Sequence, residues 1–120
     1  MSEPKSQWSN AFAAASADAM GVYEDVIARI FTPWTADLIQ RVSPPAGGSG
    51  LDIACGPGNV TRALARRIGP AGRVTGTDIS PAMLQIARSN IGAGDAPITW
   101  IESPAAPIPL PDDDADVITC

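Results

Sequence analysis

The chain has 120 residues, a formal net charge of −5 and 45% hydrophobic residues, which suits one globular domain rather than a disordered segment. Eight Lys and Arg against 13 Asp and Glu, with no basic cluster, exclude a nucleic-acid partner. With no histidine and two cysteines in unlike settings there is no metal-ligand set and no disulfide framework, so no metal is expected and the cytoplasm is the simplest compartment.

Residues 1–10 are polar. Residues 11–20 contain Asp18 and follow a single positive charge, Lys5, which makes a poor signal peptide, and nowhere is there an apolar run of the roughly 18 residues that a membrane span needs. Residues 22–31 carry a helical pattern, with Val22, Val26 and Ile30 on one side and Tyr23 and Ile27 alongside. A second short helix is expected next, with Thr32 as N-cap, Pro33 at the first helical position and Trp34, Leu38 and Val42 on one face, stopped by Pro44 and Pro45. Gly47-Gly48-Ser49-Gly50 reads as a flexible connection.

The most informative stretch is Leu51-Asp52-Ile53-Ala54-Cys55-Gly56-Pro57-Gly58-Asn59-Val60-Thr61, where an apolar run ends in a glycine loop that opens into a helical pattern. It reads as strand, tight turn, helix. Gly56 and Gly58 sit where the chain must reverse, and glycine takes φ > 0 and lets a ligand approach the backbone. Asp52 falls inside the strand, where a buried carboxylate needs partners. Cys55, small and without a cationic neighbour, reads as a packing residue rather than a nucleophile. The helix over residues 60–68 presents Arg62, Arg66 and Arg67 as a solvated face and ends at Gly69-Pro70.

A second strand over residues 72–78 ends in Asp78, beside the loop of the first. In a βαβ unit an acid there can accept hydrogen bonds from both hydroxyls of a ribose. Ser80-Pro81 starts the following helix, with Met83, Ile86 and Ala87 inward. A third strand is expected over residues 98–102, a stiff proline-rich connection over 103–111, a solvated turn over 112–114, and a fourth strand over 116–120.

Leu51, Asp52, Cys55, Gly56, Gly58, Asp78, Ser80 and Pro81 together resemble the first motifs of the class I S-adenosylmethionine-dependent methyltransferases, of the small-molecule type similar to the ubiquinone and menaquinone biosynthesis enzymes. Ile108-Pro109-Leu110-Pro111-Asp112 is similar to that family's run before strand four. The resemblance implies an α/β fold, a Rossmann-like doubly wound parallel sheet of order 3-2-1-4, truncated, with amino-terminal helices. Residues 1–46 would then form a helical lid and residues 47–120 an S-adenosylmethionine-binding half, incomplete at its carboxyl end. It implies cofactor contacts from Asp52, Ala54, Cys55, Gly56, Gly58 and Asp78, with Asp52 ordering the loop and facing the cofactor's ammonium group. Ile79 and Met83 would lie against adenine, Tyr23 would reach the amino-acid end, and the Ala105 amide would meet a ring nitrogen. The family's adenine-binding aspartate position carries Pro104, which offers neither carboxylate nor amide hydrogen; Glu102 is the nearest substitute. The implied acceptor is a small molecule, and no catalytic side chain is legible.

Two rival readings stay open. A nicotinamide-dependent dehydrogenase shares the glycine loop and the strand-two acid, but wants a third glycine where Thr61 stands. A non-catalytic S-adenosylmethionine-binding fragment or partner-dependent half-domain fits Pro104 and a chain of roughly four strands. An uncovered fourth strand predicts a homodimer or another pairing partner over that edge.

Overall fold

Seven elements follow one another along the chain: α1 (Arg29–Val42), β1 (Ser49–Ile53), α2 (Asn59–Ile68), β2 (Arg73–Asp78), α3 (Pro81–Ser89), β3 (Ile98–Glu102) and β4 (Val117–Thr119). The structure, a computed structural model, describes residues 29–89 and 95–120 together with Ala19, Val22, Asp25 and Val26. The strands form one sheet of order β3-β2-β1-β4. Every pairing is parallel: α2 and α3 carry the crossovers from β1 to β2 and from β2 to β3, and the helix-free connection over residues 103–116 returns the chain from β3 to β4. Strand order reverses between β1 and β4, the switch point at which such sheets leave a crevice beyond their carboxyl ends.

The core explains why α2 lies where it does. Leu64, Ala65 and Ile68 share one face of that helix and bury themselves against Val74 and Val117 of the sheet and against Ala96, with Ile39 and Val42 of α1 packed alongside. Gly69 ends α2: its φ of 80° turns the chain while its amide donates to the Ala65 carbonyl at 3.0 Å.

Two expectations are corrected. Residues 47–50 are not a flexible linker throughout, because Ser49 and Gly50 already belong to β1, Gly50 pairing with Val74 and Val117. The glycines serve close packing: a Cβ on Gly50 would lie 3.2 Å from Ile68 Cδ1, and one on Gly48 would lie 2.7 Å from Pro45 Cγ. Nor does a new helix begin at Thr32. Helix α1 runs from Arg29 through Pro33 without a break. Pro33 is the fifth residue of that span, so it forfeits only an amide that would have reached back to Arg29, and the helix tolerates it. Its inward side is Leu38, Ile39 and Val42, all half-buried, whereas Trp34, expected on the same face as Leu38 and Val42, is 69% exposed. Tyr23 lies outside the described residues.

Candidate functional site

The site grows from the way β1 ends. The Cys55 amide donates to the Thr77 carbonyl at 2.8 Å, so the chain stays tied to β2 two residues past the strand. Ala54, with φ 55°, and Gly56, with φ 56°, then bend it through left-handed conformations. Gly58, φ 88°, donates to the Cys55 carbonyl at 3.1 Å and accepts from the Arg62 amide at 2.9 Å, closing the turn and opening α2. The expected strand, turn and helix are all present. Arg62 was expected to be part of a solvated face. It is instead half-buried and clasps the turn, donating to the Pro57 carbonyl at 2.8 Å and to Asn59 Oδ1 at 2.9 Å. Arg66 and Arg67 are exposed, as expected.

Asp78 locks this turn to the tip of β2. One carboxylate oxygen accepts the Gly56 amide at 2.8 Å and the other accepts the Ser80 amide at 2.8 Å, while the Asp78 carbonyl accepts the Ser103 amide at 3.0 Å. Each carboxylate oxygen retains a second acceptor position. A Cβ built on Gly56 would meet nothing within 4 Å, so beside this carboxylate the backbone faces open space, a cradle that any side chain would fill. Ser80 caps α3 through Oγ, which accepts the Met83 amide at 3.3 Å, as its sequence position beside Pro81 predicts.

Beneath the loop, Asp52 is 4% exposed. Thr61 donates its hydroxyl to one oxygen at 2.7 Å and Thr119 donates to the other at 2.8 Å, tying β1 to α2 and to β4. Burial pushes the carboxyl above its ordinary value; the Thr61 and Thr119 hydroxyls oppose that rise and the charge of Asp78 adds to it. Neither threonine was legible as a site residue. Thr61 stands at the third-glycine position and its Cγ2 would lie 3.2 Å from a Cβ on Gly76, so the branched side chain fills the space that glycine keeps open in dinucleotide-binding turns. A buried acid does require donors, and that was the only available signal.

Cys55 is buried, and burial, reinforced by the charges of Asp52 and Asp78, pushes its thiol up to about 12. It packs and stays protonated, in keeping with its expected role in packing. Ile79 is half-buried beside Asp78, whereas Met83 is 5% exposed and belongs largely to the interior. Ala105 and Pro104 are exposed on the connection that leaves β3, and Glu102 is exposed in register with Asp78. Asp52, Ala54, Cys55, Gly56, Gly58, Asp78 and Ile79 thus gather at the carboxyl ends of β1 and β2, with Ala105 on the connection that the Ser103 amide fastens to Asp78.

A groove of about 530 Å³ lies elsewhere, between α1 and α2, lined by Thr32, Thr35, Ile39, Asn59, Arg62 and Arg66 among others. We place the site at Gly56 and Asp78 because the convergent acceptors and the open backbone lie there. Among the described residues no group of three or more Cys, Asp or Glu could hold a metal ion, and no helix is long and apolar enough to cross a membrane.

A family model described as a methyltransferase domain matches residues 51–120. A ubiquinone/menaquinone biosynthesis C-methyltransferase from Hahella chejuensis is 36% identical across 72% of this chain and 35% of its own length. A demethylmenaquinone methyltransferase from Geobacillus stearothermophilus is 34% identical across 72% of this chain and 37% of its own. The chain therefore spans about a third of the length of these curated relatives. A solved S-adenosylmethionine-dependent methyltransferase from Aquifex aeolicus, 21% identical, shares the fold with a TM-score of 0.69 over 87% of this chain and 55% of that one.

Proposed function

The chain belongs to this methyltransferase-domain family, and from that premise we propose that it supplies the S-adenosylmethionine site for methyl transfer to a small-molecule acceptor. The observation that carries the reading is Asp78, anchored on the Gly56 and Ser80 amides with an acceptor position spare on each oxygen, beside backbone that faces open space. That pair of acceptors suits the two hydroxyls of a ribose. Gly56 lets the ligand close on the main chain, Gly58 shapes the turn, and Ala54 and Cys55 present backbone along its edge. Ile79 provides an apolar wall for the adenine, with Met83 behind in the interior. The Ala105 amide is the remaining candidate for an adenine nitrogen, since Pro104 has no amide hydrogen. Asp52, with both oxygens engaged by hydroxyls, orders the loop from below and contributes charge through space.

The cofactor supplies an electrophilic methyl on a sulfonium, so the protein's work is to bind and align. Two carboxylates whose partners here are hydroxyls and backbone amides favour a cationic ligand over a pyrophosphate. Thr61 at the third-glycine position weighs the same way against a dinucleotide. A small-molecule acceptor is in line with the two curated relatives, a ubiquinone/menaquinone biosynthesis C-methyltransferase and a demethylmenaquinone methyltransferase. We assign residues 1–46 to a lid, supported by α1 lying along α2 within reach of Asn59, the first residue after the glycine loop.

Calorimetric titration with S-adenosylhomocysteine, with NAD in parallel, tests this. We expect the former to bind and Asp78→Ala to weaken it by at least about tenfold, the worth of one hydrogen bond to a charged group. Binding of NAD with silence from S-adenosylhomocysteine would overturn the reading.

A further inference from the structure

Gly58 and Gly76 lie on different elements, yet a side chain at either would strike the same ring. A Cβ on Gly58 would come within 2.6 Å of Trp100 Cη2, and one on Gly76 within 2.8 Å of both Cε3 and Cζ3. Contacts of real Cβ atoms essentially never fall under 3.0 Å, so both positions require glycine while the indole stays where it is. In the sheet Trp100 pairs in register with Gly76. Side chains at paired positions of neighbouring parallel strands stand on the same face. The bare backbone at Gly76 is therefore what lets the indole of β3 cross β2 and reach the glycine loop of β1.

At the loop, the ring meets Gly58, which holds φ 88° at the start of α2. The Arg62 guanidinium lies close by, 3.0 Å from a Cβ on Gly58, while it bonds the Pro57 carbonyl. The half-buried indole and the guanidinium thus confine the turn. We propose that Trp100 is a positioning residue for the glycine loop, holding Gly58 in its left-handed conformation before any ligand arrives, so that Trp100 sets ligand affinity without touching the ligand. The statement about affinity rests on the S-adenosylmethionine reading above; the statement about loop order does not.

The test combines hydrogen exchange of the ligand-free chain with calorimetry, using Trp100→Leu, Trp100→Phe, Gly76→Ala and the double variant Trp100→Leu/Gly76→Ala. In Trp100→Leu the peptide covering residues 54–62 should exchange about fivefold faster or more, with α3 unchanged as internal reference. Its affinity for S-adenosylhomocysteine should fall about tenfold. Trp100→Phe should restore most of both. Gly76→Ala should reproduce the Trp100→Leu loop phenotype by displacing the indole, and adding it to Trp100→Leu should change the loop by clearly less than Gly76→Ala does alone, the remainder coming from its 3.2 Å approach to Thr61 Cγ2.

Loop exchange that stays at the wild-type rate, exchange that rises equally in α3, or additive effects of the two substitutions would overturn the proposal. If Trp100→Leu does not fold, Trp100→Phe and Gly76→Ala decide by the same exchange comparison. Failure of the wild-type chain to bind S-adenosylhomocysteine would sink the cofactor reading, while the exchange result would still decide whether Trp100 orders the loop.

Discussion

Replacing Thr119 with valine swaps a hydroxyl for a methyl of similar shape, opens no cavity, and leaves one oxygen of Asp52 without its 2.8 Å donor. Asp52 is 4% exposed, so water does not readily replace the lost bond, and the expected loss is about 1.5–3 kcal/mol, the range for a hydrogen bond to a charged group. The pH dependence gives the reasoning a sharper test. Burial raises the Asp52 carboxyl above its ordinary value of 3.8. The folded state therefore holds the proton more tightly than the unfolded chain. The stability that this tighter proton binding contributes is present below the unfolded value and is lost as pH rises through the raised native one. Removing Thr119's donor raises the carboxyl further, so Thr119→Val should be more damaging at pH 7 than in acid, where a protonated carboxyl no longer needs that donor. Urea unfolding followed by far-ultraviolet circular dichroism at pH 7 and at the lowest pH where the wild type remains folded measures both values. A loss under about 0.5 kcal/mol, or one equal at the two pH values, would refute the argument that Thr119 sustains a buried negative charge. Asp52→Asn should be no less stable than the wild type at pH 7, because it removes the desolvated charge while keeping groups that can pair with both hydroxyls.

Gly56 and Gly58 make an informative contrast. Both have positive φ, but Gly56→Ala meets open space and should cost only about 1–2 kcal/mol of backbone strain while abolishing S-adenosylhomocysteine binding in calorimetry. Gly58→Ala adds a collision with Trp100 to the same strain and should cost about 2–5 kcal/mol by urea unfolding, the strain plus the 1–3 kcal/mol of an overpacked contact. For the cysteines, the buried Cys55, its thiol pushed up to about 12, should resist a disulfide reagent at pH 8, whereas the exposed Cys120 should react; one thiol should titrate in the native chain and two in denaturant.

The parts of the fold that could be read from the residues are those whose cause is local. Glycines at 56 and 58, the acid at 78 and Ser80-Pro81 at a helix start each carry their conformational reason within a few positions, and the loop, strand and cap stand where that reasoning puts them. The parallel pairing of β1, β2 and β3 follows from the helices between them, whereas the order 3-2-1-4 is what the family resemblance implies. Misreadings arose where one residue type serves opposite purposes. Gly47 to Gly50 read as a flexible connection because glycine loosens a free chain, but at Gly50, packed under Ile68, the same lack of a side chain tightens a strand. Pro33 looked like a helix start because that is its commonest tolerated place, although one lost amide early in a helix is also bearable. The role of Trp100 is not legible in the sequence because it is written at Gly58 and Gly76, which only the sheet register brings to it.

The Asp52 cluster lies furthest from local inference, and it shows how the first and last strands of the sheet meet beneath the glycine loop. Thr119 bonds an acid 67 residues away, across the point where strand order reverses. Because Thr61 bonds the other oxygen, any movement of β4 relative to β1 acts on the first turn of α2, and through it on the glycine loop. The hydroxyls compensate the charge without neutralising it, so negative potential persists beneath the loop, reinforced by Asp78. A guanidinium in place of either threonine would have paired the acid more completely and removed that potential. Hydroxyl donors instead keep a buried carboxylate tolerable and still electrostatically available, and a cationic ligand over Gly56 would draw on that availability.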